Sequence, residues 1–221
     1  MRYYPMFLRI EGRPCLVIGG GEVAERKVLS LLKADARVTV ISPALTPTLA
    51  ALADRRQIVH HARRYRPEDL DGAWIAFAAT NDEAVHAGIG RDAERAGVPL
   101  NVVDRPRLCT FIVPSVIERG ELTVAISTGG ASPAFARRLR EELEQLLGPE
   151  YAQALAILRA VRRQLQSEAR PQPERQAILT ALARSGIVDL LRTQQSAAID
   201  RLLRTTVGDG TSVASLRVNL A

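Results

Sequence analysis

Apolar and polar positions change rhythm twice along the chain. Through the first hundred residues, short aliphatic runs alternate with stretches whose apolar residues recur every three or four positions. "RPCLVIG", "RVTVIS" (Arg37–Ser42), "QIVHHA", "AWIAFAA" (Ala73–Ala79) and "PLNVVD" predict strands. Glu22–Lys33, "TPTLAALADRR" and "DEAVHAGIGRDAERAG" predict helices. Such alternation across short connections implies parallel strands with helices on both faces, a Rossmann-like sheet. After Arg105, "TFIVPSVIERGELTVAIST" reads as two β-runs joined at Arg119-Gly120. A helix then opens on Ser132 as N-cap with Pro133 at its first position, and closes at Gly148. From Pro149 the pattern is helical, broken by "ARPQPERQ" and by Gly186. The tail from about residue 205 is expected to be loose and partly disordered. The fold class is therefore α/β in three parts: a Rossmann-like domain over 1–113, a small strand-strand-helix domain over 114–148 and a helical domain over 149–221. A lone two-stranded ribbon is marginally stable, so the hairpin is expected to pair with that of a second chain.

The turn after the first strand carries the clearest chemistry. In "CLVIGGGEVAERK", Gly19, Gly21 and Ala24 fit the G-x-G-x-x-G/A spacing. The first glycine makes the tight turn, the second lets backbone approach a pyrophosphate, and the small third residue lets helix and strand pack closely. The N–H groups of Gly21, Glu22 and Val23 would meet the phosphates at a helix N-terminus, with the Glu22 side chain turned to solvent. Ser42 stands 21 residues after Gly21, where a ribose-binding acid is usual, and no acid is present. Ribose contacts are then expected from the Ser42 hydroxyl or the Pro43 and Ala44 backbone. Other strand ends carry Ala79-Thr80-Asn81-Asp82 and Asp104. Asp104 reads either as a general base facing the nicotinamide side or as a turn residue opening "DRPR".

Composition narrows the setting. The chain has 221 residues, 47% of them hydrophobic, and no apolar run near the ~20 residues a membrane span needs. The N-terminus has no signal-peptide pattern, and Cys15 and Cys109 have no CxxC spacing, which suits a reducing cytoplasm without disulfides or structural zinc. The net charge is +6, and the excess lies late: residues 151–221 hold 10 basic against 5 acidic side chains. Twenty-eight of the thirty basic residues are arginines, which grip carboxylates and phosphates with a planar fork. No helix-turn-helix or winged-helix pattern points to nucleic acid. His60, His61 and His86 lack the spacing of a metal site, and Cys109, with no histidine beside it, suits packing. In "ISTGGASPAFARRLR", Ser127, Thr128 and Gly129 precede a second helix N-terminus, and Arg137 lies on that helix; together they suit an anionic substrate group.

Four ordered motifs, "PMFLRIEGRPCLVIGGGEVAERK", "AATND", "NVVDRPRLCTFIVPS" and "ISTGGASPAFARRLR", span residues 5 to 140. In order and spacing they resemble the siroheme synthase dehydrogenase/chelatase module, the precorrin-2 dehydrogenase/sirohydrochlorin ferrochelatase family. The resemblance implies NAD-dependent dehydrogenation of precorrin-2 to sirohydrochlorin, and in bifunctional members insertion of Fe2+, as a substrate, to give siroheme. It also implies a homodimer exchanging its central domain, cofactor contacts at Glu22, Val23, Pro43 and Ala44, and a base at Asp104. The cofactor-binding candidates are thus Gly19, Gly20, Gly21, Glu22, Val23, Ser42, Pro43, Ala44 and Thr80. His86 and Asn81 depart from the family's residues at their positions. The chain shows no methyltransferase domain, so precorrin-2 is expected from a separate uroporphyrinogen methyltransferase. Alternative readings are a non-catalytic NAD-sensing module and a dehydrogenase without chelatase activity.

Overall fold

The computed structural model describes residues 3–80 and 83–220. The chain divides into two compact units, Met1–Val113 and Pro114–Ala221.

The first unit is built on five parallel strands: β1 (Pro14–Ile18), β2 (Arg37–Ile41), β3 (Val59–His61), β4 (Ile75–Ala78) and β5 (Leu100–Val102), in the order β3-β2-β1-β4-β5. Helices α1 (Glu22–Lys33), α2 (Pro47–Asp54) and α3 (Glu83–Ala96) connect them. The strands read as continuous apolar runs because both faces are covered. Cys15 and Val17 pack with Ala24, Val28 and Leu31 of α1 and Leu49 of α2. Leu16 and Ile18, pointing the other way, pack with Ile89 and Ala93 of α3. Ala24, Val28 and Leu31 recur at i, i+4 and i+7, the stripe a helix needs to lie on a sheet. Strand order reverses between β1 and β4, and at such a switch point a crevice opens beyond the carboxyl ends of the strands.

The second unit holds two cores. β6 (Ser115–Arg119) and β7 (Leu122–Ile126) pair antiparallel around Gly120, whose φ is +58°. Ile117 and Ile126 pack with Ala136, Leu139 and Leu143 of α4 (Pro133–Leu146). The Ser132 hydroxyl caps α4 by accepting from Phe135 N at 3.2 Å. Four helices form the other core: α5 (Glu150–Ser167), α6 (Gln172–Arg184), α7 (Ile187–Arg192) and α8 (Ser196–Val207). The break expected across "ARPQPERQ" is shorter than the composition suggests, since Pro173 sits in the first turn of α6, where its missing N–H costs nothing. A further break between α7 and α8, at 193–195, lacks glycine and proline and has no sequence signal. Beyond α8, Thr211 is 1% exposed, the Asp200 carboxylate accepts from Val213 N at 2.8 Å, and Val213, Leu216, Val218 and Leu220 pack on the helices.

Candidate functional site

The glycine turn sits between β1 and α1 at the switch point, and its three glycines do three different things. Gly19 has φ +122°, and a Cβ there would lie 2.3 Å from the Ala79 carbonyl oxygen at the end of β4. A Cβ on Gly20 would lie 2.0 Å from the Ala44 carbonyl oxygen and 2.7 Å from Ser42 Oγ. Both glycines let neighbouring strand ends close on the turn. Gly21 is different: its φ is −84°, and a Cβ there would meet nothing within 4 Å. It is the exposed N-cap of α1 and, lacking a side chain, offers no capping bond to the first N–H groups of the helix. The spacing rule gave Gly19 the turn and Gly21 the close approach. The need for Gly20 lies in a residue the motif leaves unspecified.

The loop after β2 is clamped to this turn. Ser42 is 7% exposed, and its hydroxyl donates to the Ala44 carbonyl at 2.7 Å. The hydroxyl expected as a ribose donor thus holds its own loop. Pro43 and Ala44 stand exposed beside it. Thr46 is the residue that sequence reasoning missed. Its N–H donates to the Gly20 carbonyl at 2.9 Å, and its hydroxyl donates to Glu25 Oε2 on α1 at 2.5 Å. The same oxygen accepts from Leu49 N and caps α2. A threonine before "PTL" signals an N-cap, but the reach to α1 is visible only in three dimensions.

At the end of β4, Thr80 is half-buried and its carbonyl accepts from His86 Nε2 at 2.9 Å. Among the described residues, Nδ1 of that buried histidine has no partner. Asn81 and Asp82 lie outside the described residues. Asp104 follows β5 on the same edge of the sheet. It is exposed and adopts φ +57°, a left-handed conformation that aspartate and asparagine tolerate better than other side chains. Arg105 N donates to the Val102 carbonyl across this turn at 3.3 Å. Among the described residues the Asp104 carboxylate has no hydrogen-bond or ionic partner, so it is a turn residue with a free carboxylate. Cys109 braces the turn: its Sγ accepts from Val102 N at 3.2 Å and lies 3.2 Å from the Val102 carbonyl, to which the thiol donates. Lys27 of α1 lies 5.8 Å from the Phe77 ring centroid, and burial pushes its pKa down.

In the second unit the candidates cluster in the loop between β7 and α4. Ser127 Oγ accepts from Gly129 N at 3.1 Å, while the Thr128 hydroxyl donates to the Ser132 carbonyl and accepts from Ser132 N, both at 3.1 Å. These hydroxyls therefore shape the loop. Arg137 is exposed and lies 3.7 Å from Glu141 one turn on. Among the described residues no group of three or more His, Cys, Asp or Glu side chains could hold a metal ion. Nor is any helix among them long and apolar enough to cross a membrane.

Comparison with known proteins bears on this arrangement directly. Residues 6–115 match a family model for NAD(P)-binding domains, and residues 119–146 match the model for the central part of sirohaem biosynthesis proteins. A siroheme synthase of Methylobacillus flagellatus is 48% identical over 157 residues, covering 71% of this chain and 34% of that protein. A siroheme synthase of Nitrosomonas eutropha is 38% identical over 207 residues, covering 93% of this chain and 44% of that protein. The chain belongs to the siroheme synthase family. It spans about one third of the length of several of these relatives. A solved structure of SirC, a precorrin-2 dehydrogenase, superposes with a TM-score of 0.75 at 24% identity, covering 92% of this chain and 98% of that one. At that identity the likeness speaks for the fold, which the two share from the parallel sheet to the C-terminal helices. In this siroheme synthase family member, the first matched region ends two residues beyond the first compact unit and contains the whole glycine turn, the β2 loop and Asp104. The second starts at the last residue of β6 and covers β7 and α4.

Proposed function

We propose that this chain dehydrogenates precorrin-2 to sirohydrochlorin with NAD+ and inserts ferrous iron into the product. The observation that carries the reading is the empty space in front of Gly21, at the switch point of a sheet whose family is NAD(P)-binding. Gly20 and Gly19 are filled by protein, whereas nothing of the protein needs Gly21 to lack a side chain. A pyrophosphate at the N–H groups of Glu22 and Val23 would need it. Backbone at Pro43 and Ala44 would meet the adenosine ribose, and Thr80 would border the nicotinamide side. The bound dinucleotide supplies a hydride acceptor.

The residues of the chain then do the rest. Precorrin-2 loses a hydride and a proton, and the Asp104 carboxylate takes the proton. Iron insertion releases two pyrrole N–H protons, and the same carboxylate assists. Ser127, Thr128, Gly129 and Arg137 would meet a carboxylate of the macrocycle. Iron is a substrate in this scheme. A preference for NAD+ over NADP+ of at least ~10-fold follows from the second strand's end. No Lys or Arg lies between Ser42 and Asp54, and Arg63, further along β3's path, spends its fork on Asp69. Equal kcat/KM with the two dinucleotides would refute this pocket. The chain is proposed to work as a homodimer.

The test is a two-step spectral assay. Purified protein is given enzymatically made precorrin-2 and NAD+, and ferrous iron is then added without oxygen. The reading requires sirohydrochlorin and NADH in the first step and siroheme in the second. NAD+ binding with no turnover would make the chain a sensor. Turnover in the first step alone would make it a dehydrogenase without chelatase activity.

A further inference from the structure

The helical core carries a second chemically distinctive place, a groove between α5 and α6 of about 540 Å3. Its lining on α6 recurs at residues 172, 175, 176, 179, 180, 183 and 184, one continuous helix face. Three guanidinium groups border it: Arg162 from α5, Arg175 and Arg184 from α6. No carboxylate lines it, and among the described residues none of the three arginines makes an ion pair or side-chain hydrogen bond. Of the nearest acids in sequence, Glu168 and Glu174 are held by Arg170 and Asp189 by Arg192. Between the charges lie Leu179 and Ala183, with the amides of Gln172 and Gln176 as further donors.

An apolar strip bordered by unneutralised guanidinium groups matches one kind of ligand: a flat apolar body with carboxylates on its periphery. Arginine suits both parts, since its plane stacks on π systems and its fork grips carboxylates. We propose that this groove, in the unit that does not carry the dinucleotide turn, is a docking site for a polycarboxylate tetrapyrrole. The choice of a tetrapyrrole rests on the reaction proposed above; the polycarboxylate chemistry rests on the groove alone.

The probe is uroporphyrin, an unreactive tetrapyrrole with eight carboxylates, titrated calorimetrically into the whole protein at low and at physiological salt. The test variant is Arg162→Gln/Arg175→Gln/Arg184→Gln, checked for folding by circular dichroism, with the three single variants as a second series should the triple one misfold. The expected result is loss of one uroporphyrin site, or at least ~10-fold weaker binding, with NAD+ affinity unchanged. Single variants should each weaken that site, and salt should weaken it in the wild type more than in the variants. Unchanged stoichiometry and affinity in the variants would overturn the proposal, as would a wild type that binds no uroporphyrin. Equal competition by tripolyphosphate would reduce the groove to a general anion patch and overturn it too. The two readings fail separately. Precorrin-2 turnover without groove binding removes only the docking site, and groove binding without turnover removes only the dehydrogenase.

Discussion

A glycine's importance depends on what its missing side chain would touch, and the three consecutive glycines here separate that cleanly. Gly20→Ala should give little folded protein, because its Cβ would collide with backbone at Ala44 that Thr46 holds in place. Gly21→Ala places its Cβ in open space, so the cost is that of a poorer N-cap, about 1 kcal/mol or less. Its NAD+ affinity should nonetheless fall at least ~10-fold, or about 1.4 kcal/mol. Thermal melts and a dinucleotide titration on both variants check this, and a Gly21→Ala protein that binds NAD+ normally would remove the cradle. The G-x-G-x-x-G/A pattern made Gly19 and Gly21 legible in the sequence. Gly20 was named with them as a cofactor contact, but its packing constraint was not legible, because it comes from a loop 24 residues away. Ser42 shows the same limit. Its position after the second strand marked it as a site residue, but only the folded loop shows its hydroxyl committed to the Ala44 carbonyl.

Elements were legible wherever burial imposes a period. Cys15–Ile18 and Ile75–Ala78 are covered on both faces and read as unbroken apolar runs. α1 shows its stripe at the bounds the pattern set, Glu22–Lys33. What escaped were the joints made by single hydrogen bonds. Thr46 is the clearest, joining the start of α2 to the glycine turn and to α1. Thr46→Val should cost about 1–2 kcal/mol through the lost cap and leave Glu25 without its donor. It should also loosen NAD+, since the loop it holds abuts Gly20; a variant with unchanged melting and unchanged affinity would contradict this. Asp69 is a second joint, accepting from both Nη atoms of Arg63 and from Arg66 N. Burial pushes its pKa up, but these donors outweigh that and hold it below the ordinary carboxylate value. A depressed folded pKa stabilises fully above the unfolded pKa of about 4, and the effect is lost as pH falls through the lower folded value. Asp69→Asn should therefore melt below wild type at pH 7. The gap should narrow once pH drops under about 4, and a constant gap would show that charge is not involved.

At the scale of the molecule, alternation of strands and helices announced the doubly wound sheet, and the change of rhythm after Arg105 announced the hairpin. The packing of the last residues was not announced, because Val213, Leu216, Val218 and Leu220 follow no helical or strand period. Among the described residues the two-stranded sheet pairs with no further strand, and Val116 on it, with Phe135 and Leu146 on α4, is 37–63% exposed. An exposed edge beside exposed apolar side chains calls for a cover, which the second copy of the proposed homodimer would supply. Light scattering at tens of micromolar should give twice the chain's 24.1 kDa. A Phe135→Asp/Val116→Lys variant should shift toward monomer, and a wild-type monomer would refute the dimer.

In the proposed reaction this chain couples a dinucleotide to proton removal from a tetrapyrrole at Asp104. The direct measurement is single-turnover NADH formation from precorrin-2 and NAD+, in the wild type and in Asp104→Asn. Asparagine tolerates the φ of +57° found here, so the variant removes the base while keeping the turn. The proposed reaction predicts one NADH per precorrin-2 in the wild type. In the variant it predicts a rate lower by roughly 10²–10⁴-fold with unchanged NAD+ affinity and melting temperature. A variant that forms NADH at the wild-type rate would contradict it, as would a wild type that binds NAD+ and forms none.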